Sequence, residues 1–329
     1  MNVRYLLIVT AFISLNALAD DATYETYGVH NSPDVSPCAS KNCVYKRGEG
    51  EPSDPIYPEY WISDWAMYVV SKNYEKFPPP YQGKPPVGLK EGLDYHTSYG
   101  TTYYDSTWKD PSSGKQEGAM MEHYVERCLP IFAIENSYTC SFISLGDTAF
   151  FIAGKGKPSW MPDICLFSNF NHPPRRNFIE HLPYSSGDSE RIGDGGQAYS
   201  FWVDHKTGKP IQTGVVPGRT EDMAIMFGYG FQKIGGVVQP QSFYFSGYPL
   251  PPANAPIVSQ NYTDFRSEQP DPEDTWALVS NLDPSSLEKC QLFNPPQALK
   301  MQLGEQQWAP TWADIGRAKK HSIPNEKAE

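Results

Sequence analysis

Several chemistries are excluded by what this chain does not contain. There is no Cys-x-x-Cys, no His-x-His, no His-Glu-x-x-His and no oxygen-rich loop of the EF-hand form, so no compact metal or dithiol motif is present. The Gly-x-Ser-x-Gly frame of a nucleophile elbow is missing. Gly193-Asp-Gly-Gly196 reads as a turn, because it lacks the strand-then-helix setting of a nucleotide loop. Without Cys-x-x-Cys-His, covalent c-type haem attachment is excluded. Basic charge is also scarce: 27 Lys and Arg stand against 38 Asp and Glu, and the one basic group is Arg317, Lys319 and Lys320. Such a surface repels phosphate backbones, which argues against nucleic acid as a partner. After the first nineteen residues no apolar run approaches the ~20 residues of a membrane helix, and no internal repeat recurs at a fixed period.

What is present begins with Met1–Ala19: one charge at Arg4, an apolar middle from Tyr5 to Leu15, and Ala17-Leu18-Ala19 at the exit. This is the order of a secretory signal with an A-x-A cleavage site, so the mature chain is expected to start at Asp20 in a secreted or periplasmic setting. Losing Arg4 would take the formal charge from −11 to roughly −12. The six cysteines are Cys38, Cys43, Cys128, Cys140, Cys165 and Cys290. In an exported chain an even number reads as disulfides, with about fifteen connectivities open to six cysteines. The most local pairing joins Cys38 to Cys43 and Cys128 to Cys140, leaving Cys165 for Cys290.

The 31 Pro and 26 Gly, with 21 Tyr, 16 Phe and 8 Trp, describe a turn-rich chain with aromatic anchors rather than a helical bundle. Residues 20–59 are polar and aperiodic and read as an extended arm. Trp61, Trp65, Tyr68, Val69 and Lys72 recur at three- and four-residue steps behind Ser63, which predicts a helix ended by Pro78-Pro79-Pro80. Met120, Met121, Tyr124, Val125 and Cys128 predict a second helix over 118–128. Three hairpins follow: around Gly146-Asp147, around Asp204 to Gly208, and around Gly235-Gly236. Asp271-Pro272 and Asp283-Pro284 each begin a helix with Pro in its first turn. The expected architecture is one α+β domain over 60–315 with an antiparallel β-rich core, sheet or sandwich, peripheral short helices and long loops; 316–329 form a charged tail.

Ionisable groups concentrate in two places. In a helix over 118–128, Glu122 and Glu126 share a face with His123 beside them, a carboxylate and imidazole set suited to acid–base work; the competing reading is a solvated helix face. Arg175 and Arg176 can grip a carboxylate or sulfate, with His181 next to Glu180 as an acid–base group. The seven histidines are widely spaced, so no metal site is assigned, and the sequence leaves the cofactor unknown. Aromatics offer a different site: Tyr99, Tyr103, Tyr104 and Trp108 lie among Asp94, Asp105 and His96, and flat rings beside acceptors suit a sugar or other polar ligand. Phe243 to Tyr248 form a second aromatic run that reads better as core. Asn261-Tyr-Thr263 matches a glycosylation acceptor.

Two functions follow as expectations. The leading one is an exported binding or accessory protein contacting a polar small molecule, a glycan or an envelope protein through aromatic-rich loops. The other is an extracytoplasmic hydrolase built on Glu122, His123 or His181. No motif decides whether the chain is an enzyme.

Overall fold

The computed structural model describes residues 47–71, 76–128, 137–146, 148–168, 175–204, 210–211, 223–247 and 257–290. The leader, most of the extended arm, the Cys38–Cys43 pairing and the charged tail lie outside the described residues.

The described chain is β-rich. Eleven strands form one sheet: β1 (Tyr60–Val70), β2 (Tyr95–Asp105), β3 (Ala119–Tyr124), β4 (Cys140–Leu145), β5 (Thr148–Ala153), β6 (Ile164–Ser168), β7 (Gly196–Asp204), β8 (Pro210–Ile211), β9 (Met223–Ile234), β10 (Val237–Gly247) and β11 (Ile257–Arg266). Their order is β6-β5-β4-β3-β2-β1-β11-β10-β9-β7-β8, and the pairings between them are antiparallel. The first and last strands therefore pair near the middle, joining two meanders. Among the described residues only two short α-helices accompany the sheet, α1 (Ser186–Ile192) and α2 (Ala277–Ser280). Among the described residues no helix is long and apolar enough to cross a membrane.

The sheet curls. Tyr104 on β2 and Phe231 on β9 sit four strand spacings apart, roughly 19 Å if the sheet were flat. Both rings lie within 5.6 Å of the Tyr57 ring, which enters from the segment before β1. One aromatic side chain thus bridges the concave face, and Trp61, Met120, Phe178, Tyr199 and Tyr229 join it in a single cluster. That entering segment is strapped down: Arg47 pairs with Asp54 at 2.6 Å and donates to the carbonyls of Leu182 and Ile179 at 2.7 and 2.9 Å.

The convex face is covered as well. Trp276 and Val279 of the C-terminal segment pack on Met121, Ile143, Leu145 and Phe150. Phe77, Tyr81 and Leu89 cover Tyr68, Val70 and Ile257. Helix α1 is capped by Ser185, whose side chain accepts from the Asp188 amide, and Asp188 in turn accepts from the Tyr244 hydroxyl at 2.8 Å.

Burial on both faces corrects the two helices expected near the N-terminus. Residues 60–70 are strand β1, sending Trp61, Ser63, Trp65, Met67 and Val69 inward and Ile62, Ala66, Tyr68 and Val70 outward. Residues 119–124 are strand β3, with Met120 and Tyr124 inward and Met121 outward. When both faces are apolar the period-two signature disappears, and chance three- and four-residue spacings imitate a helix. Gly100 fits the strand reading, since a Cβ there would collide with the Trp65 ring and the His123 carbonyl. The three expected hairpins are present as β4–β5, β7–β8 and β9–β10. The Asp-Pro signals produce only α2 and a single 3-10 turn at Pro284–Ser286, where Asp283 caps the Ser285 amide. Cys128–Cys140 and Cys165–Cys290 are bridged, the second tying the C-terminal segment to β6.

Candidate functional site in the concave face

Strand β3 places Glu122 on the inner face, opposite Thr102 of β2 and Phe142 of β4. From across the curl, Gln260 of β11 donates its Nε2 towards Glu122 Oε1 and the Tyr262 hydroxyl, both at 3.5 Å, and Tyr124 also hydrogen-bonds the carboxyl. Among the described residues no Lys, Arg or His forms an ion pair with Glu122. The titratable groups facing it are the phenols of Tyr57, Tyr124, Tyr229 and Tyr262.

An unpaired carboxyl in such surroundings resists ionisation. Desolvation pushes the Glu122 pKa from 4.5 up to about 7, against smaller opposing effects of the Gln260 and Tyr124 hydrogen bonds. Burial holds the four neighbouring phenols above their ordinary value. Glu122 itself is half-buried, so water reaches it from one side.

Beside this carboxyl lies a small cavity lined by Tyr57, Trp61, Met120, Tyr229, Ser242, Phe243 and Tyr262, with room for about one water molecule. Buried polar atoms on this face without a protein partner include Trp61 Nε1, Trp65 Nε1, Thr102 Oγ1 and Gln260 Oε1. A buried donor or acceptor left unmet costs about 1–3 kcal/mol. The concave face therefore holds an uncompensated acid, an unmet donor and an unmet acceptor amid aromatic rings.

The expected site residues are distributed differently. Tyr104 is fully buried and stacks on Trp61 at 5.6 Å. Tyr103 and Trp108 point outward and pack in the cluster beneath Trp276. Tyr99 alone of the four is open to solvent, at 53 % exposure. Arg176 donates to the Tyr57 carbonyl at 2.7 Å and pairs with Glu59 at 3.4 Å, which anchors the entering segment. Arg175 is exposed, and the side chain of His181 lies outside the described residues.

Glu122 and His123 leave opposite faces of β3 and do not meet. On the outer face His123 Nδ1 lies 2.9 Å from Ser141 Oγ, and one strand further Thr101 donates to Asp64 at 2.7 Å. Burial lowers the His123 pKa, keeping the ring neutral near pH 7. Glu126 follows the strand and is exposed. The glycosylation reading of Asn261 is corrected: the residue is 1 % exposed on β11 and donates to the Ala66 and Ser259 carbonyls. Among the described residues no three His, Cys, Asp or Glu side chains gather as a metal group.

Sequence reasoning missed Trp61, Tyr57, Tyr229, Gln260 and Tyr262. One available signal was Glu122 itself, a lone acid between Met120 and Tyr124 at strand spacing. Compared with protein families and with curated proteins, the chain matches none.

Proposed function

We propose that this chain is an exported binding protein that takes a small polar molecule at the concave face beside Glu122. The observation that carries this reading is the half-buried Glu122 carboxyl without an ion-pair partner among the described residues, held by Gln260, whose Oε1 is buried and unmet, next to a ring-lined cavity that Trp61 and Tyr262 help to line. Native structures rarely leave such groups unmet, and an ordered water or a small polar ligand would satisfy them. The two bridges support export, because disulfides persist in oxidising compartments. A glycan would need an open aromatic platform, and the burial of Tyr104 and the covering of Tyr103 and Trp108 favour a smaller ligand.

The test is a tryptophan-fluorescence titration of mature protein, made through an oxidising export route, with neutral polyols and small organic ions. Gln260→Leu keeps the size of the side chain and removes its polar end, so it should abolish a saturable response that Tyr99→Ala retains. Loss with Tyr99→Ala and retention with Gln260→Leu would move the site to the outer surface.

A second reading rests on the hydrogen bond between His123 and Ser141. A neutral imidazole against a serine hydroxyl is the core of a nucleophilic pair, and a hydrolase built on it would act at the outer face. An ester-hydrolysis screen of wild type and His123→Ala decides it, since equal rates remove the assignment.

A further inference from the structure

We infer that the ligand of the concave site is a small organic cation, an ammonium or methylammonium head, seated between the Glu122 carboxylate and the faces of the surrounding rings. This inference rests on the binding reading above and narrows it to one chemical class.

Three features point to positive charge. Glu122 is a half-buried acid on the inner face with no cationic partner among the described residues, and a partly desolvated anion of this kind is stabilised most by a cation brought to it. Tyr57, Trp61, Tyr229, Phe243 and Tyr262 line the adjoining cavity, and the negative face of an aromatic ring attracts ammonium groups, most strongly for Trp. Gln260 already donates its Nε2 to Glu122 and Tyr262, leaving Oε1 as an unmet acceptor, the polarity an N–H donor needs. Size sets the upper limit. Space for about one water molecule matches an ammonium group; methylammonium needs a small outward shift of the rings to seat its methyl, and tetramethylammonium would have to force them far apart.

The cation requires the ionised carboxylate, so affinity should rise as pH passes from 6 to 8. Among the described residues the other titratable groups facing Glu122 are Tyr57, Tyr124, Tyr229 and Tyr262, which stay neutral in that range. The experiment titrates full-length mature protein with methylammonium chloride at pH 8, with sodium chloride matched for ionic strength, following tryptophan fluorescence and thermal midpoint. Wild type should show a saturable response, weaken at least fivefold at pH 6, and bind tetramethylammonium more weakly. Glu122→Gln should lose at least tenfold in affinity, while Glu126→Gln, an exposed acid from the same segment, should not change it.

Identical responses in wild type and Glu122→Gln, or a response matched by sodium chloride, would overturn the inference. Saturable binding of a neutral polyol without methylammonium binding would overturn the cation and leave the binding reading standing. No saturable response to either class would remove both.

Discussion

Glu122→Gln should make the protein more stable at pH 8 and should leave it nearly unchanged at pH 5. The folded carboxyl titrates at about 7 against 4.5 for the free group, so between those values the native state holds a proton that the unfolded chain has released. Stability from this residue is fully present below pH 4.5 and is lost as pH rises through 7. At about 1.4 kcal/mol per pH unit, the full loss is about 3 kcal/mol, an upper figure because Glu122 retains some contact with water. Glutamine cannot ionise and keeps nearly the same volume, so the variant escapes this loss. At pH 5 it forfeits only a hydrogen bond or two, about 1 kcal/mol. The assay is urea unfolding at pH 5, 6, 7 and 8 with the disulfides intact, comparing the two proteins at each pH. Taking the difference cancels every other titrating group, and the phenols facing Glu122 remain neutral throughout. The stability gap should open between pH 5 and 7 in favour of the variant and level off by pH 8, reaching about 2–3 kcal/mol, or roughly 5–10 °C in thermal midpoint. Parallel pH profiles would mean that Glu122 is well solvated, and the buried-acid account of the site would be refuted.

Two further outcomes follow from the packing. Tyr104→Ala should cost about 3–5 kcal/mol, because its ring is fully buried against Trp61 and Tyr57, whereas Tyr99→Ala should shift stability by about 0.5 kcal/mol or less; equal costs in chemical denaturation would contradict the assigned strand faces. Replacing Cys165 and Cys290 by Ser should destabilise more than replacing Cys128 and Cys140, since the bridges span 125 and 12 residues and loop entropy gives about 5 and 3 kcal/mol; the reverse order in thermal unfolding would show that native contacts outweigh loop closure.

What the sequence made legible was local. Gly235-Gly236 and Gly146-Asp147 mark hairpins because the chain must reverse within two residues, and both glycines of the first pair, like Gly146, adopt the left-handed backbone that such turns need. The Cys128–Cys140 bridge is similarly local, and removing that pair left Cys165 for Cys290 among the later cysteines. Illegible were the elements whose identity depends on what covers them. Strand β1 has Trp and Met on one face and Ile, Tyr and Val on the other, and Tyr68 and Val70 of the outer set are covered by Phe77, Tyr81 and Leu89, which fold back over them. Helix α1 carries no apolar period in its sequence, with Ile192 its one large apolar residue, and its position depends on Asp188 reaching Tyr244 across 56 residues.

The missed strands and the missed site have one cause. In a sheet wet on one side, a charged residue at alternate positions is the normal outer face and carries no information. In a sheet buried on both sides there is no outer face to supply that excuse, so each ionisable residue within a strand needs its own explanation. Asp64 has Thr101 and Arg266 on a partly open surface, and His123 has Ser141. Even off the strands, Asp188 of helix α1 has Arg191 and Tyr244. Glu122 is the acid whose partners are a long amide contact and a phenol, with rings elsewhere around it. Reading 118–128 as a helix gave that carboxylate a solvated face and removed the question. The strand restores it, and the energetic cost of keeping an acid there is the strongest indication that the concave face serves something other than packing.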